Sequence, residues 1–223
     1  MGKIKAVAFD CDGVVLDSFK NVHQAYKAAA KYFGVSCPED IEEFRKIYLH
    51  CPKWTDRLEH LGIGKKNAKK ADEIFKRQYK RSGPMPFNGI SETLEELSYA
   101  YPLFLITSSH QDDVRKLFTE YGLFDFFQEI RGSVKPGEYC GKTQNLLEIM
   151  ALRNWMPDQL VMIGDTENDL LEAKQAGVSN VILTDYGYGY NKDKIQQAGY
   201  KLKTIVSKPE DILAAINEIE LRR

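Results

Sequence analysis

The sequence predicts an α/β protein with a parallel sheet and an inserted block of helices. A short apolar run, Ile4 to Phe9, opens the chain and has the composition of a buried strand. Beyond Pro86, strand-like segments alternate with helix-like segments, which is the pattern of a parallel sheet. Between Phe19 and Arg81, by contrast, apolar residues recur at helical spacing and no strand-like run appears. These three observations together define the predicted fold class.

The predicted core alternates six strands with helices. The last of these strands leads to a final helix, whose start carries Ser207 and Glu210 at the spacing of a capping box. The predicted strands are Ile4–Phe9, Leu103–Ile106, Phe126–Ile130, Leu160–Ile163, Asn180–Leu183 and Lys203–Val206.

The helical block predicts a second, smaller domain. Its first helix carries a stripe that includes Val22, Tyr26 and Ala29, and a turn-rich stretch from Ser82 to Pro86 closes the block. We therefore expect a core domain formed by residues 1–17 and 84–223, and an α-helical cap domain formed by residues 18–83.

Composition limits the classes of function. The 223 residues are 43% hydrophobic and 28% charged, with a formal net charge of -1, which offers no bulk attraction to nucleic acid or to an anionic membrane. The four cysteines form no C-x-x-C pair and lack the density of a disulfide scaffold, so a reducing, cytoplasmic setting is expected. The four histidines show no metal-ligand spacing, so the sequence does not support a zinc site. No segment has the length and hydropathy of a membrane span.

Two acids end the first predicted strand. Asp10 and Asp12 follow the apolar run with one residue between them, and Gly13 then allows a sharp turn. Carboxylates 4 Å apart repel each other by about 4 kcal/mol at an effective dielectric constant of 20. A divalent cation with oxygen ligands would remove that repulsion, although a polar loop after a strand is the simpler interpretation of this short pattern alone.

Two later strands end in polar residues that would lie at the same edge of the sheet. Thr107 and Ser108 follow the second strand and offer hydroxyl and amide groups to a phosphate. Asp165 follows the fourth strand, and Asp169 comes one helical turn later, so both carboxylates could face one ion. An acidic helix start favoured by the macrodipole is the alternative interpretation.

Two lysines lie between these segments. Lys135 is followed by a proline, and Lys142 lies where the next helix begins, a position at which the helix macrodipole disfavours a cation. A positive charge placed against that field suggests a function.

In this order, the segments resemble the haloacid dehalogenase-like superfamily, in the phosphatase branch with a helical cap, to which phosphoglycolate phosphatases and β-phosphoglucomutases are related. The resemblance covers nearly the whole chain and implies a Rossmann-like three-layer core. It implies Mg²⁺ bound by Asp10, the carbonyl of Asp12, Asp165 and Asp169. It also implies that Asp10 attacks phosphorus and that Asp12 acts as acid and base.

The remaining site residues follow from the same resemblance. Thr107 and Ser108 would hold the phosphoryl oxygens, and a lysine would neutralise charge. Many relatives carry a Lys-Pro-x-Pro motif that this chain matches only in part at Lys135, so we favour Lys142. In the cap, His50, Lys53 and Arg57 are candidate contacts for the leaving group.

The predicted function is Mg²⁺-dependent hydrolysis of a small phosphorylated metabolite by a monomer or weak homodimer, without nucleic acid or membrane as partner. A sugar phosphomutase of the β-phosphoglucomutase kind is the second enzymatic candidate. A catalytically idle binding or regulatory protein is the candidate from another class. Dehalogenase and phosphonatase activities are disfavoured because family members with those activities lack an acid at the position that Asp12 occupies here.

Overall fold

The computed structural model describes residues 3–51, 53–134, 141–197 and 204–222. The chain separates into two compact units, Met1–Leu16 with Pro86–Arg223, and Asp17–Met85. The strands are β1 (Ala6–Phe9), β2 (Leu16–Asp17), β3 (Met85–Pro86), β4 (Leu103–His110), β5 (Phe127–Ser133), β6 (Leu160–Gly164), β7 (Asn180–Thr184) and β8 (Ile205–Val206). The helices are α1 (Phe19–Tyr32), α2 (Ile41–His50), α3 (Trp54–His60), α4 (Ala68–Ser82), α5 (Ile90–Ala100), α6 (Gln111–Glu120), α7 (Gly141–Arg153), α8 (Glu167–Gln175), α9 (Lys192–Gln197) and α10 (Asp211–Leu221).

A parallel sheet of six strands organises the first unit, in the order β5-β4-β1-β6-β7-β8. The first strand is central, and Val7 lies opposite Leu103 on one side and Val161 on the other. The predicted α/β class with a parallel sheet is thus confirmed. Because β1, β4 and β6 are adjacent and parallel, their carboxyl ends meet at one edge of the sheet.

Alternate residues of the central strand enter two different cores. Val7 and Phe9 pack in an apolar cluster with residues of α5 and α10, including Leu94 and Ile216. Ala6 and Ala8 belong to the opposite cluster, with residues of α7 and α8. Both faces of the sheet are covered by helices, which explains why its strands are continuous apolar runs.

Several predicted boundaries differ from the structure. The strand expected to end at Ile106 continues to His110, with an irregular register after Ile106. The predicted capping box is wrong, because the helix starts at Asp211 and the hydroxyl of Ser207 donates to Asp185 at 3.1 Å. A carboxylate beyond the end of a neighbouring strand competes here with the helix for that hydroxyl.

The second unit contains α1 to α4 around an aromatic core. The ring of Tyr26 lies 5.1 Å from the rings of Phe44 and Trp54, and Trp54 lies 5.2 Å from Phe75. Asp40 caps α2, since its carboxylate accepts two amides of the first turn at 2.9 Å. None of the helices in the described ranges combines the length and apolar character needed to cross a bilayer.

Candidate active site

Asp10 follows β1 directly at the carboxyl edge of the sheet. Its amide donates to the carbonyl of Ile163 in β6 at 2.8 Å, so the strand pairing holds its backbone. The chain then turns tightly, with the amides of Val15 and Leu16 both donating to the carbonyl of Cys11 at 2.9 Å. The Asp10 side chain is thereby fixed on rigid backbone at the place where parallel sheets present their ligands.

The turn after Asp10 packs against the carboxylate of Asp165. Gly13 has a φ of +88°, and a Cβ atom at this position would lie 2.1 Å from Oδ2 of Asp165. A larger residue would therefore meet both backbone strain and a direct clash. Glycine is required here because the two acidic segments approach each other so closely.

The fourth acid, Asp169, is oriented by a reciprocal cap at the start of α8. The hydroxyl of Thr166 accepts the amide of Asp169 at 3.2 Å, while Oδ2 of Asp169 accepts the amides of Thr166 at 2.9 Å and of Asp165 at 3.2 Å. This arrangement leaves the other carboxylate oxygen of Asp169 free to face the sheet edge. These hydrogen bonds therefore fix the rotamer of the Asp169 side chain, and its negative charge also offsets the positive end of the helix macrodipole.

Lys142 joins the two acidic segments. Its ammonium lies 2.9 Å from Oδ1 of Asp10 and also contacts Oδ1 of Asp169, and its side chain is almost completely buried. Lys135, the alternative lysine, lies outside the described residues. The structure thus provides a buried cation that contacts two carboxylates distant from each other in the chain.

Three buried carboxylates converge at this lysine. Oxygens of Asp10, Asp165 and Asp169 all lie within 4.8 Å of one another. Burial raises the pKa of Asp10 to about 7. The positive charge of Lys142 lowers this pKa, whereas the negative charge of Asp169 raises it further. Burial, followed by the charges of Asp169 and Asp10, raises the pKa of Asp165 well above its ordinary value.

The cluster has the donor set of a site for a hard cation. Oδ2 of Asp165 accepts the amide of Gly189 at 2.8 Å, whereas its Oδ1 is buried with no hydrogen-bond donor in the described structure. An unpaired buried acceptor costs about 1–3 kcal/mol, and more when it is charged. Carboxylate oxygens are the ligands that Mg²⁺ prefers, so these residues fit that ion.

The predicted phosphate-binding residues have different environments. Thr107 is buried, and its hydroxyl accepts the amide of Ser109 at 3.0 Å, while Ser108 is exposed. The hydroxyl of Ser109 lies 3.4 Å from Oδ2 of Asp12, a contact that the sequence did not indicate. β4 continues past these residues to His110, where its pairing with β5 resumes opposite Ser133 after the irregular register.

Sequence reasoning assigned no site residue to the end of β7 or to the segment after it. Besides the Gly189 amide at Asp165, Thr184 donates its hydroxyl to the carbonyl of Gly13 at 3.3 Å, and Tyr186 donates to the carbonyl of Val14 at 3.1 Å. This segment therefore supports both acidic strand ends. Its alternating glycines and tyrosines, located after a buried strand, were the available signal.

The cap candidates lie in the second unit. His50 and Lys53 are exposed, whereas Arg57 is half-buried. The guanidinium carbon of Arg57 lies 4.1 Å from the centre of the Tyr48 ring and 5.9 Å from that of Tyr26. Arg57 is therefore partly a packing residue of the aromatic core, in addition to being a candidate for substrate contact.

The site places a lysine and three carboxylates at the carboxyl edge of a parallel sheet. The chain also carries a separate helical unit. Both features agree with the family that the motifs indicated. A sequence model described as haloacid dehalogenase-like hydrolase matches residues 7–183. The chain belongs to this family, which confirms the resemblance that the motifs indicated.

Similar proteins have more than one described activity. Phosphoglycolate phosphatase 1 of Pseudomonas aeruginosa is 29% identical over 203 residues, covering 87% of this chain and 74% of that protein. The tyrosine-protein kinase PtkA of Mycobacterium tuberculosis is 27% identical over 191 residues, which is 83% of this chain but only 63% of the kinase. A haloacid dehalogenase-like hydrolase of Streptococcus pneumoniae, SP0104, has a similar structure, with a TM-score of 0.82, 28% identity and coverage of 96% of this chain and 99% of that one.

Proposed function

We propose that this protein is a Mg²⁺-dependent phosphatase that hydrolyses a small phosphorylated metabolite through a phosphorylated Asp10. The observation that carries the proposal is the buried group formed by Asp10, Lys142, Asp165 and Asp169. One ammonium contacts two of the three carboxylates, and the third carboxylate keeps an oxygen with no donor among the described residues. The similarity to phosphoglycolate phosphatases supports the same reaction class.

Asp10 is the nucleophile of the first step. An oxygen of its carboxylate bonds to phosphorus as the bond from phosphorus to the leaving oxygen breaks, and Asp12 gives that oxygen a proton. Lys142 favours the ionised form of Asp10 against the effect of burial, since its ammonium is 2.9 Å away. Lys142 thus increases the ionised fraction of a nucleophile that is buried and held in place.

The second step regenerates the enzyme. Asp12 takes a proton from water as the water oxygen attacks phosphorus, and the bond between phosphorus and Asp10 breaks to release inorganic phosphate. Thr107 and Ser108 hold the phosphoryl oxygens through hydroxyl and amide groups. The contact of Ser109 with Asp12 would limit the rotation of the acid and base between the two steps.

Mg²⁺ would be held by Asp10, Asp165, Asp169 and the carbonyl of Asp12. When bound, it supplies positive charge that stabilises the phosphoryl oxygens in the transition state. Phosphate monoesters are among the slowest substrates to hydrolyse without a catalyst, with enzymatic accelerations up to about 10²¹-fold. Concentrated positive charge from Lys142 and a cation is therefore what this chemistry needs.

The helical segment, residues 18–83, is the proposed cap domain that selects the leaving group, with His50, Lys53 and Arg57 as candidate contacts. Arg57 is the half-buried cation of the three, and its guanidinium would suit a substrate that carries an anionic oxygen. Exchange of these residues for alanine should raise KM for the true substrate more than for p-nitrophenyl phosphate.

Hydrolysis of p-nitrophenyl phosphate tests the proposal. Turnover should require Mg²⁺, cease with EDTA, and be lost in Asp10→Asn, while the exposed Asp125→Asn serves as the matched control. A panel of phosphorylated metabolites would then identify the substrate. Isomerisation of a hexose 1-phosphate without phosphate release would instead establish the phosphomutase, and a complete lack of turnover would favour the binding protein.

A further inference from the structure

The start of α7, which carries Lys142, is tied to α8, which carries Asp169. Oε2 of Glu172 accepts the amide of Thr143 at 3.0 Å, and the hydroxyl of Thr143 donates to the carbonyl of Glu172 at 3.0 Å. Glu172 is one turn beyond Asp169 on the same helix. Two hydrogen bonds therefore join the residue next to the lysine to the helix of the metal-site acid.

The pairing is geometrically regular. Asp169 and Glu172 are three residues apart and so lie on one face of α8. They meet Lys142 and Thr143, two consecutive residues of α7. Because the lysine contact and the two threonine contacts act side by side, they define both the position and the rotation of the first turn of α7.

Glu172 also supplies a charge that α7 lacks. The first turn of α7 contains no acidic residue, although the amides at a helix start are unpaired and favour a nearby anion. A Cβ atom at Gly141 would lie 3.2 Å from Oε2 of Glu172, so the carboxylate packs closely on that start. The acid thus compensates for a lysine placed where the macrodipole opposes it.

Glu172 is itself held in place. Its second oxygen, Oε1, accepts the side-chain amide of Asn168 at 2.7 Å, and the hydroxyl of Thr143 also lies 3.2 Å from Oε1 of Gln175. All these partners of the first turn of α7 belong to α8. The contact is consequently a fixed part of the helix pair.

We propose that Glu172 is a positioning residue for the reaction, holding the first turn of α7 so that the Lys142 ammonium reaches Asp10 and Asp169 together. This inference rests on the proposed phosphatase function. The carboxylate oxygens of Glu172 accept the Thr143 amide and the Asn168 side-chain amide, so Glu172 acts through the backbone that carries the lysine. The rate of the chemical step should therefore depend on Glu172 more than substrate binding does.

Four variants test this role. Glu172→Ala removes the carboxylate, Glu172→Gln keeps an acceptor for the Thr143 amide, and Thr143→Val removes only the hydroxyl bond. Glu148→Ala is the matched control, because Glu148 is an exposed acid of α7 itself, away from the first turn of that helix, and pairs with Arg131. Each variant is measured for kcat and KM with Mg²⁺ and p-nitrophenyl phosphate, and each is crystallised to locate the Lys142 ammonium.

Glu172→Ala should lower kcat by about 10- to 100-fold with KM within about threefold, since small misplacements of catalytic groups have effects of this size. In its crystal structure, Nζ of Lys142 should lie more than about 4 Å from Oδ1 of Asp10, outside ion-pair distance. Glu172→Gln should restore most of kcat, Thr143→Val should fall between the two, and Glu148→Ala should match the wild type.

The proposal is overturned if Glu172→Ala keeps both the wild-type kcat and the lysine position, or if Glu172→Gln loses as much activity as the alanine variant. If Glu172→Ala does not fold, Thr143→Val becomes the deciding variant. A wild-type kcat in Thr143→Val, together with an unchanged position of the Lys142 ammonium, would refute the positioning role of Glu172. A wild-type protein without any turnover would defeat the phosphatase proposal instead, while the lysine position in the crystals still tests Glu172.

Discussion

Replacing Asp165 with asparagine should stabilise the metal-free protein while removing its response to Mg²⁺. The side chain is completely buried, and its Oδ1 has no donor among the described residues. In Asp165→Asn, the amide oxygen can still accept the Gly189 amide. The new amide nitrogen takes the position of the unpaired oxygen and can donate to the neighbouring carboxylates of Asp10 and Asp169.

The expected gain in the free energy of unfolding follows from the distances between the three carboxylates. Two unit charges 4.8 Å apart, the outer limit within the cluster, repel by about 3.5 kcal/mol at an effective dielectric constant of 20. Asp165 faces two such neighbours, and Lys142, which contacts both, offsets roughly one of the two repulsions. Protonation of the wild-type carboxyl relieves part of the remaining repulsion, so we expect the free energy of unfolding to rise by about 2–3 kcal/mol at neutral pH.

The effect should depend on pH in one direction. The pKa of Asp165 is raised in the folded protein, so there it retains a proton that the unfolded chain loses at about pH 3.9. The unfolded state then binds fewer protons, and the wild type loses stability as the pH rises towards the folded pKa. The difference between Asp165→Asn and the wild type should be near zero at about pH 4 and widen towards neutrality.

Urea denaturation with and without Mg²⁺, at several pH values, measures both effects. Mg²⁺ should stabilise the wild type increasingly as the pH rises, because binding requires ionised carboxylates, and should have little effect on Asp165→Asn. Asp125→Asn, which changes an exposed acid, should stay within about 0.5 kcal/mol of the wild type. A less stable metal-free Asp165→Asn, or one that still responds fully to Mg²⁺, would refute the reasoning.

Three further variants examine the surroundings of the cluster. Lys142→Met should reduce kcat by about 100-fold or more, as loss of one preorganised positive group does, and steady-state kinetics with p-nitrophenyl phosphate would show it. Gly189→Ala should destabilise the protein by about 1–3 kcal/mol, because the new Cβ would lie 2.4 Å from Cγ2 of Thr166, and should weaken stabilisation by Mg²⁺ in urea titrations. Tyr186→Phe removes a donor to the carbonyl of Val14 and should cost about 0.5–1.5 kcal/mol by the same titrations, with kcat little changed.

Local patterns in the sequence were sufficient for the fold class. Apolar runs bounded by turn residues identified the strands around Val7 and Val161, because strands buried on both faces have no polar alternation. Boundaries were less accurate where a neighbouring element intervened. β4 passes its predicted end at Ile106 because it pairs further with β5, and Ser207 binds Asp185 instead of capping a helix.

The support of the candidate site was not accessible from local patterns. The contacts of Glu172 with Thr143 and of Gly189 with Asp165 join residues 29 and 24 positions apart. Their formation depends on how two helices pack and where a loop returns, and no short motif encodes either. The catalytic roles assigned to the site residues remain predictions that the variants above can test.

By itself, the sequence determined that carboxylates follow two buried strands and that a helical block interrupts the core, because strand and helix periodicities are local properties. Only the tertiary structure decided that Asp10, Asp165 and Asp169 share one buried space with Lys142. The physical reason is that burial and mutual repulsion, which raise the pKa values of Asp10 and Asp165, arise from the packing of segments that are distant in the chain.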